Sequence, residues 1–146
     1  MERSPLLENL IKTGQHVGPT VGKSMEPMLR ERRDSVVIKR KDERLKKWDV
    51  AFYVVAGRFI LHRVIKVTDT GYIIRGDNCY ADEVVPENAV FGVLTEFFRE
   101  DKHYYCTDKE YLKYVKRHVH SYPFRKFWMK LKSFGGRVIR KLKGRK

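Results

Sequence analysis

Nowhere in its 146 residues does this chain hold an apolar run near the ~18–20 residues needed to span a bilayer. Its opening, Met1-Glu2-Arg3-Ser4-Pro5, carries both charge signs and leads into no signal-peptide apolar core, so a cytoplasmic location is expected. Cysteine is scarce. Cys79 and Cys106 are too few for a disulfide framework, and both are expected to be reduced. Metal-binding spacings of the CxxC or HExxH kind are missing, and His118 and His120, two apart in a helical stretch, face different ways. No GxxxxGK[ST] or GxGxxG phosphate loop occurs, so neither a metal nor a cofactor is expected. Acidic residues are absent from the last 24 positions.

What is present supports a folded domain. Hydrophobic residues make up 42% and aromatics 12%, enough for a core, and the length suits one compact domain with an appendage. The net charge of +14 is placed unevenly, because ten Lys or Arg lie between Pro123 and Lys146. The body is therefore only mildly basic, and the question of what it does separates from that of where the tail takes it.

Residues 5–12 space Leu6, Leu7, Leu10 and Ile11 as a short helix. Gly14, Gly18 and Gly22 break that pattern, and Gly22-Lys23-Ser24-Met25-Glu26-Pro27 reads as a turn before a short helical or turn segment from Pro27. Five strands follow, at Ser35–Lys39, Asp49–Val55, Arg58–Val67, Gly71–Arg75 and Ala89–Phe98, with turns at Ala56-Gly57 and Thr68–Gly71. Strands this short, without long helices between them, predict a mainly β fold: a small antiparallel β domain over 1–107. Asp108 caps a predicted helix over Lys109–His120, Pro123 ends or kinks it, and a second helical stretch continues with Gly135-Gly136 inside it. Residues 108–146 thus form a basic amphipathic helical extension.

Three segments could carry chemistry. Ser24 stands on the glycine-marked turn, and Pro27 restricts Glu26 to extended conformations just past it. A serine in such a turn is most often only a turn residue. His62 lies mid-strand on the face of Ile60 and Val64, with Arg63 pointing the other way. It reads either as a satisfied core residue or as a general base. Gly76-Asp77-Asn78 and Asp82-Glu83 read as an acidic turn, or as the source of a carboxylate that orients the histidine.

In combination, Gly-x-Ser-Met-x-Pro-x-Leu at 22–29, His-Arg-Val-Ile at 62–65 and Gly-Asp-Asn at 76–78 resemble the signal peptidase I family over roughly Gly18–Leu94. The likeness is to its histidine-type branch, where histidine replaces the lysine base of ordinary bacterial enzymes. The resemblance implies a fold of the signal peptidase and SOS-repressor peptidase type, with Ser24 as nucleophile and His62 as general base acting on a peptide or protein substrate. Asp77 matches the first acid of the family's box. The second falls about six residues later, which points to Glu83, with Asp82 one residue short. Two departures stand out. The family's Ser-Gly before the nucleophile is Gly22-Lys23 here, leaving the oxyanion to backbone N–H groups, and one lost donor can cost ~10²–10³ in rate. The N-terminal membrane anchor of classical signal peptidases is also missing, so the expected substrate is a precursor other than exported preproteins.

A self-cleaving regulator of SOS-repressor type fits less well, since the 23 residues before Ser24 leave no room for a helix-turn-helix. A non-catalytic module that kept the fold is the alternative outside enzymes. For the tail, residues 124–146 suit a peripheral helix on an anionic membrane surface, or an apolar stripe packed on the β domain with solvated charges. Nucleic acid is the less favoured partner, because no recognised nucleic-acid fold accompanies the charge.

Overall fold

The computed structural model of the protein describes residues 4–144. They divide into two compact units, the first ending at Leu112 and the second beginning at Lys113, so the division falls within the helix Lys109–His120. The fold is mainly β: a curled antiparallel sheet of eight strands with a short N-terminal helix and two C-terminal helices.

Helix α1 (Pro5–Thr13) begins at a proline, which suits the first turn, and stops at Gly14, whose φ of 78° supplies the left-handed cap. The strands are β1 (Gln15–Pro19), β2 (Asp34–Arg40), β3 (Val50–Val55), β4 (Arg58–Val67), β5 (Gly71–Arg75), β6 (Glu83–Pro86), β7 (Val90–Arg99) and β8 (Lys102–Tyr105). Their order is β1-β2-β7-β3-β4-β5-β6, with β8 also paired to β7. β3 lies between β4 and β7, and its first four residues are all buried, which is why Val-Ala-Phe-Tyr shows no polar alternation. A core of Ala51, Tyr53, Val64, Tyr72, Ile74 and Val85 fills one face of β3–β6.

Three of these strands are absent from the sequence-based expectation. β1 contains Gly18 and ends at Pro19, β6 has four residues, and β8 is Lys-His-Tyr-Tyr, so none carries a clear apolar alternation. Pairing supplies what local preference lacks: β1 lies along β2 over five residues and β6 along β5 over four. The second unit contains the rest of α2 (Lys109–His120) and α3 (Tyr122–Lys143). Among the described residues no helix is long and apolar enough to cross a membrane.

Candidate active site

The turn that carries Ser24 is pinned from both sides. Beneath it, Met25, Met28 and Leu29 are buried, and the Leu29 N–H donates to the Met25 carbonyl at 3.0 Å. Beside it, Asn78 donates its backbone N–H to the Ser24 carbonyl (2.8 Å) and its side-chain amide to the Lys23 carbonyl (3.1 Å). The serine itself remains half-buried.

Gly76 sets how closely these segments approach. A Cβ there would lie 2.7 Å from the Ser24 carbonyl oxygen, 2.8 Å from Cys79 Sγ and 3.0 Å from His62 Nε2. Only a residue without a side chain lets the serine turn, the histidine ring and the 76–79 loop meet.

His62 comes from β4, and its register explains its neighbours. Ala51 pairs with His62 and Tyr53 with Ile60, so Tyr53 is the diagonal neighbour of His62 on the same face. The Tyr53 hydroxyl lies 2.9 Å from His62 Nδ1 and donates to Glu83 Oε2, also at 2.9 Å. Glu83 Oε1 is 3.2 Å from the same Nδ1. The single phenolic proton goes to Glu83, so both oxygens facing Nδ1 are acceptors. That network assigns the ring proton to Nδ1 and the lone pair to Nε2, the nitrogen at Gly76. Burial lowers the His62 pKa, with Glu83 pulling the other way, so the ring is neutral near pH 7. Burial first, then the Glu83 carboxylate, holds the Tyr53 phenol protonated far above its ordinary range.

The acidic residues divide into three tasks. Glu83 is the carboxylate at His62. Asp82, expected as its near alternative, is an exposed partner of Arg75 at 3.0 Å. Asp77, expected among the catalytic acids, instead accepts from Arg63 Nε (2.8 Å) and Nη2 (2.7 Å) on the opposite face of β4. Arg63 also donates through Nη1 to the Trp48 carbonyl (3.0 Å) and the Tyr111 hydroxyl (3.1 Å). Burial disfavours the charge on Arg63, but Asp77 outweighs it, and the guanidinium stays ionised well beyond its usual range. The Arg63–Asp77 pair therefore anchors the 76–78 loop against the Ser24 turn, and the Asp77 charge also acts on His62, favouring its cation.

Ser24 and His62 share the wall of a pocket of about 550 Å³, whose apolar lining includes Met25, Val36, Ile38, Phe52 and Ile60. Among the described residues no hydrogen bond joins Ser24 Oγ to His62 Nε2. Nucleophile–base contacts are often longer in the unliganded state and tighten around a substrate. Cys79 offers a second nucleophilic atom nearby, but burial raises its thiol pKa and keeps it protonated. Among the described residues no group of three His, Cys, Asp or Glu could hold a metal ion.

Tyr53 is the site residue that sequence reasoning missed. Its signal lay in strand pairing: in an antiparallel β3–β4 hairpin turning at Ala56-Gly57, residue 53 sits diagonal to residue 62. A scan of protein-family models gives no match to the chain, and a search of curated proteins gives none either.

Proposed function

We propose that this chain is a serine endopeptidase of the signal peptidase I type, cleaving a peptide or protein precursor. The observation that carries the reading is the ordered ring of His62. Glu83 and Tyr53 fix its proton on Nδ1, and its basic Nε2 lies at Gly76, against which the Ser24 turn also packs, beside an apolar pocket.

In the proposed reaction Ser24 Oγ attacks the scissile carbonyl carbon while His62 Nε2 takes the hydroxyl proton. Glu83 stabilises the imidazolium through Nδ1, as the third member of a Ser-His-acid system does. The oxyanion is held by backbone N–H groups of the turn, that of Ser24 among them. His62 returns its proton to the leaving amine as the C–N bond breaks and an acyl-Ser24 ester remains. Water, deprotonated by the same nitrogen, then releases the acid product and restores Ser24. We place this activity in a reducing, cytoplasmic setting, in keeping with two unpaired thiols, Cys79 and Cys106.

The test compares the purified protein with Ser24→Ala and His62→Ala variants on a mixed peptide library, read by mass spectrometry. Cleavage by the native protein that falls at least ~10³-fold in both variants is expected. Equal residual cleavage by native protein and Ser24→Ala overturns the reading.

A further inference from the structure

Helix α3 has two unlike faces, and the candidate active site uses neither. At about 100° per residue, Phe127, Trp128, Leu131, Phe134, Val138 and Leu142 fall within an arc of about 120°. These six side chains are 41–68% exposed, and no residue of α3 is buried. The eight Lys and Arg of the helix occupy the remaining circumference. Arg125, Lys132 and Lys143 flank one border of the apolar arc, and Lys130 and Lys141 the other. No acidic residue offsets them from Pro123 to the end of the chain.

We infer that α3 is a membrane-surface helix that lies in the interface of an anionic bilayer, apolar arc down and cations at the headgroups. Each alternative partner would satisfy only one face. A nucleic acid neutralises the cations but leaves two phenylalanines, a tryptophan and three aliphatic side chains in water. A protein groove takes the apolar arc but leaves eight positive charges without counter-ions. An anionic lipid surface takes both, because long basic side chains at the borders reach the phosphates while their stems cover the apolar edge. Charges spread along the whole length rule out a spanning orientation. This inference stands apart from the peptidase reading, since it uses no residue of the Ser24–His62 site.

The experiment uses the full chain with vesicles of phosphatidylcholine alone and of phosphatidylcholine with phosphatidylglycerol in equal parts. Binding is read by co-flotation and by the tryptophan emission maximum. Partition onto the anionic vesicles at least ten-fold above the neutral ones is expected, weakening as salt is raised. A blue shift is expected that disappears in Trp128→Phe while flotation persists. The Phe127→Glu/Leu131→Glu variant, altered only at exposed positions, should keep its fold by circular dichroism and lose flotation at least ten-fold. Equal binding to both vesicles, or flotation unaltered by the double substitution, overturns the inference. So does release of the protein from anionic vesicles by duplex DNA or RNA at matched phosphate concentration.

Discussion

Arg63 grips Asp77 with two parallel hydrogen bonds, Nε to Oδ1 at 2.8 Å and Nη2 to Oδ2 at 2.7 Å, with the arginine wholly out of water and the aspartate nearly so. The carboxylate of the Gly76-Asp77-Asn78 motif is thereby paired with the residue after His62, on the other face of β4. Removing one partner leaves an unpaired buried charge. Asp77→Ala should lower unfolding free energy by about 3–5 kcal/mol, measured by urea titration. Asp77→Ala with Arg63→Met should recover much of that loss. A loss under about 1 kcal/mol for Asp77→Ala, the size of an exposed pair's contribution, would refute the anchoring role.

Gly76 is the packing hinge of the site. In Gly76→Ala the new methyl meets the Ser24 carbonyl, a backbone atom, at 2.7 Å and the His62 ring at 3.0 Å, so the turn or the loop must move. Overpacking of this kind costs about 1–3 kcal/mol. On the proposed mechanism, peptidase activity should fall further than the stability loss explains, because the displaced atoms belong to Ser24 and His62. Activity and thermal unfolding measured on the same sample decide this.

Glu83 and Asp82 are adjacent but separable. Glu83→Gln keeps the shape and removes the charge that, on the proposed mechanism, stabilises imidazolium, so a loss of up to about 10⁴ in kcat is expected by analogy with triad acids. Asp82→Asn breaks only a half-exposed pair with Arg75 and should retain near-native kcat. The reverse order of effects would assign the acid to the wrong residue.

On the proposed mechanism Tyr53 is a positioning residue that acts through Glu83 and His62. Tyr53→Phe keeps the ring in the core but deletes a hydrogen bond to a charged carboxylate, worth about 1.5–3 kcal/mol. If that bond holds the ring in its reactive tautomer, kcat should drop about 10- to 100-fold with KM little changed. A change confined to thermal stability would leave Tyr53 a purely structural residue.

The pH dependence follows from His62. Its folded-state pKa lies below the ordinary histidine value of about 6.5 because burial disfavours the cation. In the window below about 6.5 and above the folded value, the unfolded chain binds more protons than the native one. His62 thus contributes stability that is fully present above the unfolded pKa and is lost as pH falls toward the folded value. If His62 is the general base proposed above, the kcat/KM profile should rise with pH through a midpoint below 6.5, since that role needs the neutral ring. A midpoint above 6.5, absent in His62→Gln controls, would contradict this assignment.

Much of the architecture was legible in the chain itself. Runs of Val, Ile, Phe and Tyr bounded by Gly, Asp or Pro announce β2 to β5 and β7, because such side chains suit a pleated, half-buried surface. Apolar residues three and four apart announce α1, α2 and α3. The strands that escaped, β1, β6 and β8, are short or polar, and pairing with a neighbour rather than their own composition makes them strands.

For the site, the sequence determined the chemical vocabulary: a serine on a constrained turn, a histidine in a strand, and several nearby carboxylates. Only the tertiary structure decided which carboxylate faces which base. Alternation along β4 turns His62 and Arg63 to opposite faces of the sheet. Asp77 therefore meets the guanidinium, while β6 carries Glu83 to the imidazole and β3 carries Tyr53 between them. Chain order lists these carboxylates within seven positions of one another; the two-residue period of the strand and the pairing of β3 to β6 separate them by function.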